Sequence, residues 1–200
     1  MSLIEEALRK RKSSADRPPG RAPAPPVGVV PPNAESAPVR RNFGDPARTL
    51  KLSLDALRQG GLLAPEHESR AIEAQFRALK RPLIQKLFAP ANREESQAAP
   101  RCSLMITSAL PGDGKTFTSL NLALSMALER DHSVILVDGD VAKPHISRTL
   151  GLGSVPGLLD LIDSRSTDVE KVLVPTDLPG LSVLPVGRQS HQATEMLASE

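Results

Sequence analysis

An α/β fold with a mainly parallel sheet is what this sequence predicts, and three stretches carry that prediction. The apolar run 104–107 leads into Ser108-Ala109-Leu110-Pro111-Gly112-Asp113-Gly114-Lys115-Thr116, a glycine-bearing loop. Beyond it, Leu120, Leu122, Ala123, Leu124, Ala127 and Leu128 recur at helical spacing. A second run, Val134-Ile135-Leu136-Val137, follows a polar turn at Asp131-His132-Ser133 and ends in Asp138-Gly139-Asp140. A third β-prone run covers 181–186. Apolar strands separated by amphipathic helices are the pattern of a sheet with crossover helices.

The chain divides by composition into four parts. Residues 1–12 read as a short amphipathic helix: Ser2 and Glu5 have capping-box spacing, Leu3, Ile4, Ala7 and Leu8 are apolar, and Arg9 to Lys12 are basic. A helix of that length is marginal alone and is expected to dock on a partner or on the core. Residues 13–46 form a linker in which Pro18, Pro19, Pro23, Pro25, Pro26, Pro31, Pro32 and Pro38 favour extended, disordered backbone over a packed core. Residues 47–97 are helical and lead into the main domain. There Ala71, Ile72, Phe76, Leu79, Leu83 and Leu87 are placed on one face, and Pro82 is expected to kink the helix or start a new turn. Residues 98–200 hold the phosphate-loop domain, with strands expected at 102–107, 134–137 and 181–186 and a last helix over 193–200.

The loop fits G-x-x-x-x-G-K-[ST] at every position but the first, where Ala109 replaces glycine. Gly112 and Gly114 let successive backbone N–H groups turn toward phosphate oxygens, and the helix that follows adds its positive N-terminal end. Lys115 is placed to neutralise the β- and γ-phosphates and Thr116 to hold Mg²⁺. The nucleotide-contacting set is Ala109, Pro111, Gly112, Asp113, Gly114, Lys115, Thr116 and Phe117, with Asp113 chosen for its turn preference. Asp138 and Asp140 stand at the carboxyl end of a strand expected to be parallel, where such sheets open their ligand crevice. Both are candidates, with Thr116, for the metal, and both are candidates with Lys115 for catalysis.

Composition removes other classes. Lys and Arg number 25 against 23 Asp and Glu, and a net charge of +2 gives no electrostatic support for a nucleic-acid partner. No run reaches the roughly 18 apolar residues of a membrane span, and the N-terminus lacks a secretory core, so the cytoplasm is the expected location. The lone Cys102 reads as a buried apolar filler, and His132, His145 and His191 have no ligand spacing.

The loop A-x-P-G-D-G-K-T, its helix, and V-I-L-V-D-G-D-V-A-K-P together resemble the bacterial tyrosine kinases, which carry Walker A and A′ motifs on a MinD-like phosphate-loop fold. Ser147 to Leu152, Pro156 to Ile162, Leu181 to Gly187 and Ala193 to Glu200 are similar to the segments that follow in that family. Met1 to Glu5 and Phe76 to Leu83 look most like the cytoplasmic autokinases of exopolysaccharide loci associated with exosortase.

The resemblance implies transfer of the ATP γ-phosphoryl group to tyrosine, with Asp138 orienting or deprotonating the hydroxyl and Asp140 organising Mg²⁺. It also implies a membrane-embedded polysaccharide chain-length regulator that recruits the protein to the inner face of the plasma membrane, and a possible homo-oligomer. Arg77 and Lys80 fill the basic places of the family's E-x-x-R-x-x-R assembly helix, but Ala74 stands at the acidic one. Two features depart further: the sequence contains no Tyr, and no apolar strand ending in aspartate follows 183–186. A domain incomplete at its C-terminus is therefore expected. Two alternatives stay open: a MinD/ParA-like positioning ATPase, whose loop lysine is Leu110 here, and a nucleotide-binding regulatory subunit without turnover.

Overall fold

The computed structural model describes residues 42–88, 102–163, 168–188 and Glu195. The helix expected over 1–12, the linker up to residue 41 and, Glu195 apart, the helix over 193–200 lie outside the described residues.

Chain entry is fixed by local capping. The Asp45 carboxylate accepts the Ala47 N–H and opens a 3₁₀ turn, Pro46–Arg48. Ser53 accepts the Ala56 N–H and opens helix α1, Leu54–Gln59. Each side chain satisfies a donor that the start of a helix leaves without an internal partner. Helices α2, Ser69–Leu87, and α3, Lys115–Ala127, follow. Strand β1, Val134–Val137, is succeeded by three short helices: α4, His145–Thr149; α5, Leu158–Asp163; and α6, Val169–Val172. Strands β2, Val174–Pro175, and β3, Leu181–Leu184, end the described sheet.

The sheet runs in the order β1-β3-β2. β1 lies parallel to β3, with Val134 opposite Leu181 and Leu136 opposite Val183, while β2 is antiparallel to β3. The result is a small mixed sheet with helices, compatible with the α/β class. β2 was not foreseen: its two residues are too few to give a periodic signal.

Helix α3 turns Leu120, Ala123, Leu124 and Ala127 onto Leu136 and Leu181. Leu52, Leu57 and Leu62 complete that core from the segment around α1. Residues 42–52 also run along the β2–β3 hairpin. The Phe43 N–H donates to Ser182 Oγ at 2.7 Å, and that hydroxyl donates back to the Phe43 carbonyl. Asn42 Oδ1 accepts the Gly180 N–H, and the Leu50 N–H donates to the Pro175 carbonyl. Residues 42–62 are thus part of the same core as the sheet.

Helix α2 is continuous through Pro82, so of the two outcomes expected there the fresh start is excluded, and it also corrects the expected apolar face. Its buried positions are Phe76 and Lys80, whereas Leu79, placed on the apolar face by spacing, is 45% exposed. The reason is the partner surface. The Lys80 stem lies against α3 so that its ammonium donates to the Ser125 carbonyl at 2.9 Å and reaches Glu129 Oε1 at 2.5 Å. Long cationic side chains bury their methylenes while their heads find polar partners, and carbonyls in the last turn of a helix are open acceptors for a cation. Farther along, Phe88 stacks on His132 with centroids 4.1 Å apart.

The run 102–107 is the third correction. It is not a strand, Met105 is 85% exposed, and Cys102, expected to be buried, is exposed. β propensity expresses packing and pairing with neighbours rather than an intrinsic backbone state, and no described strand lies beside this run. Among the described residues β1 ends the sheet on its own side, with Ile135 and Val137 exposed.

Candidate functional site

The phosphate-loop residues gather at the head of α3. Gly112 has φ of 93° and Gly114 has φ of 84°, both in the left-handed region that side chains with a Cβ rarely enter. Gly114 is the N-cap of α3 and, with no side chain to offer, makes no cap hydrogen bond. The N–H groups of the first turn are therefore left for an anion. Inside the loop, Asp113 Oδ2 accepts the Leu110 N–H at 3.0 Å. That bond closes the turn and gives Asp113 a structural task.

Lys115 and Thr116 are the first two residues of α3, and both are half-buried. Lys115 Nζ lies 3.4 Å from Asp140 Oδ2. Asp140 Oδ1 accepts the Lys143 N–H at 3.0 Å, so the carboxylate that meets Lys115 is held from its own loop. Residues 25 apart in sequence are thus joined across the mouth between α3 and β1. Each side chain of the pair is about one-third exposed, so solvent and salt screen the attraction.

Asp138 is arranged differently. It is 3% exposed, and its Oδ2 accepts both the Ser147 N–H at 2.8 Å and the Ser147 Oγ–H at 2.7 Å. Its own N–H donates to the Leu184 carbonyl at 3.0 Å. Asp138 therefore ties the end of β1 to β3 and to α4, whereas Asp140 reaches the loop. Phe117 turns its ring onto Phe76 of α2, with centroids 6.1 Å apart and planes at 52°. Ala109, Leu110, Pro111 and Gly112 lie exposed on the outer wall of the loop.

Sequence spacing alone did not reveal Ser147 or Lys80. Ser147 lies nine residues after Asp138 and carries no local signal beyond being a small polar residue near the start of a short helix. Lys80 fills a basic place of the assembly-helix pattern in the sequence, and only its spacing of four from Phe76 points it to the buried face.

A conformationally special loop at a helix N-terminus, with a lysine and a carboxylate converging on it, has the chemistry of a phosphate site. The curated relatives agree with that class. The chain is 32% identical over 96 residues to the tyrosine-protein kinase ptk of Acinetobacter johnsonii, covering 48% of this chain and 13% of that protein. It is 34% identical over 98 residues to the tyrosine-protein kinase YwqD of Bacillus subtilis (strain 168), covering 49% and 40%. With the tyrosine-protein kinase CpsD of Streptococcus agalactiae it shares 34% identity over 95 residues, covering 47% and 41%. The similarity is thus to bacterial tyrosine-protein kinases, and the chain spans less than half the length of the relatives it matches. No family model and no solved structure matches it.

Proposed function

We propose that this chain carries the phosphate-binding part of an ATP-dependent protein-tyrosine kinase, on a MinD-like phosphate-loop fold, that regulates exopolysaccharide or capsule synthesis and chain length. The convergence of Lys115 and Asp140 at the head of α3 is the observation that carries the reading, and the kinase names of the relatives give it direction.

Phosphoryl transfer requires positioning and charge neutralisation more than covalent chemistry from the protein. In this reading the loop amides around Gly112 and Gly114 hold the β- and γ-phosphates, and Lys115 exchanges Asp140 for phosphate oxygens. The donors Thr116, Asp138 and Asp140 are all oxygen ligands. Magnesium favours one or two carboxylates with phosphate oxygens over a full protein cage, so these residues fit it. When bound, Mg²⁺ supplies neutralisation of charge on the β- and γ-phosphate oxygens. Asp138 orients the acceptor hydroxyl and receives its proton. The hydroxyl oxygen bonds to the γ-phosphorus as the bond to the β–γ bridging oxygen breaks, and ADP leaves. Phe117 contributes through the helix start it anchors on Phe76.

The 200 residues contain no Tyr, so the acceptor tyrosine of this reading lies outside them. We assign the protein to the cytoplasm at the inner face of the plasma membrane, held there by a membrane-embedded chain-length regulator. Among the described residues no helix is long and apolar enough to cross a membrane. Self-association through α2 would rest on Arg77, because Lys80 is engaged within the molecule.

The test is incubation with γ-labelled ATP, with and without an added tyrosine-containing copolymer. Label in the copolymer, lost in Lys115→Met, is expected. Label released only as inorganic phosphate would replace the kinase reading with that of a positioning ATPase.

A further inference from the structure

Ser147 is fully buried, and its hydroxyl has a defined direction. Ser147 Oγ accepts the Val186 N–H at 3.0 Å. A serine hydroxyl has one proton to give, and here it goes to Asp138 Oδ2 at 2.7 Å. The Ser147 N–H delivers a second hydrogen bond to the same oxygen at 2.8 Å. Oδ2 is therefore held in a two-donor fork, with both of its lone-pair directions taken. Among the described residues, no hydrogen bond to Oδ1 is seen. Asp138 thus has one oxygen committed to the fold and one left at the carboxyl end of β1, two residues before Asp140, which meets Lys115.

Resting on the reading above, we propose that Ser147 is a positioning residue for Asp138: it clamps Oδ2 so that Oδ1 alone is offered, as a fixed anion, to the metal–nucleotide. The clamp extends to the segment after β3 through Val186. That segment is itself held by the Asp160 carboxylate, whose Oδ2 accepts the Arg188 N–H at 3.0 Å and the Gly157 N–H at 2.9 Å. Gly187 has φ of 90°, and a Cβ there would meet Asp160 Oδ2 at 2.5 Å, so this close approach to Asp160 requires glycine. The division of labour is specific. Asp140 is partly exposed and paired to the loop lysine, free to change partners, whereas Asp138 is buried and cannot turn.

The experiment is calorimetric titration of the 200-residue chain with ADP, with and without Mg²⁺, accompanied by thermal melting without nucleotide. Outer partners of metal-ligating groups typically change affinity by about 10- to 100-fold, so Ser147→Ala should weaken Mg-ADP by roughly tenfold or more and leave metal-free ADP within about twofold. Ser147→Cys keeps the volume with a weak donor and should fall between the two, which guards against a variant that fails to fold. Thr176→Val supplies the structural control. Thr176 is buried at the far end of β3, where its hydroxyl lies 2.9 Å from the Leu181 carbonyl; its loss should lower the melting temperature and leave the Mg²⁺ effect on ADP intact. Equal loss of both affinities in Ser147→Ala, or an unchanged Mg²⁺ effect, overturns the positioning role while leaving the nucleotide reading standing. Absence of ADP binding to the wild-type chain overturns that reading, and the clamp with it.

Discussion

The two flanks of the phosphate loop are built in opposite ways. On the α2 side, the helix that carries the loop is gripped near its start and at its end: Phe76 meets Phe117 one residue after Thr116, and Lys80 caps the last turn through Ser125 and Glu129. Asn121, in the middle of that helix, donates its side-chain amide to the Leu62 carbonyl at 2.8 Å. On the other side, the run 102–107 enters the loop exposed and without strand structure, and β1 presents Ile135 and Val137 to solvent. The helix half of the phosphate cradle is thus fixed by tertiary packing, and the strand half is not. The loop geometry therefore depends on α3 more than on the chain that leads into it. That asymmetry orders the expected effects of substitution.

The largest effect on nucleotide binding should come from Lys115→Met. A charge-assisted contact to phosphate is worth about 1.5–3 kcal/mol, and its loss should lower nucleotide affinity by roughly 10- to 100-fold in titration while the melting temperature holds. The largest effect on stability should come from Leu124→Ala on the gripped flank. Leu124 is fully buried among Leu120, Leu136 and Leu181, and large-to-small changes at such sites destabilise by about 2–5 kcal/mol, read in denaturant unfolding. Lys80→Met follows. It keeps most of the stem but leaves the Ser125 carbonyl without its cation, while the partly exposed Glu129 can regain water. A loss of about 1–2 kcal/mol in the same unfolding assay is expected. A loss near zero would show that the clasp on the end of α3 is ornamental.

The smallest effect belongs to the open flank. Met105→Ala and Val137→Thr should each change stability by less than about 0.5 kcal/mol, as substitutions at exposed positions usually do. A cost comparable to Leu124→Ala at either site would mean that this flank is packed, and the comparison between flanks would collapse. Charge reversal of Arg77, an exposed residue on α2, sharpens the same contrast. A change in size in solution would make α2 an assembly helix, and no change would leave its task internal.

Part of the loop geometry was legible because its signals are local. Gly112 and Gly114 take the positive φ their residue type allows, Lys115 opens a helix whose apolar spacing is unambiguous, and the apolar run that ends before Asp138 is strand β1. The turn task of Asp113 followed from its residue type in the same way. What escaped depends on contacts across the sequence. Lys80 is a cation at a buried position because α3 offers it a carbonyl and a carboxylate 45 and 49 residues away. Ser147 matters only through Asp138 and Val186. The run 102–107 has the composition of a strand, yet it lacks a described neighbour to pair with, and Cys102 is exposed with it. The exposure of Leu79 has the same origin, since helical spacing identifies a face but not which edge of that face the neighbouring helix covers. Composition also could not show that residues 42–52 are pinned to the β2–β3 hairpin by Asn42, Phe43 and Leu50.

Nucleotide binding to the 200-residue chain is the measurement that meets the central claim most directly. Calorimetric titration with Mg-ATP should give saturable binding at one site per chain in the wild type, and Lys115→Met should lose it while melting at the same temperature. A folded wild-type chain that takes up no nucleotide, or a Lys115→Met variant that binds as well as the wild type, would contradict the assignment of this loop as a phosphate site.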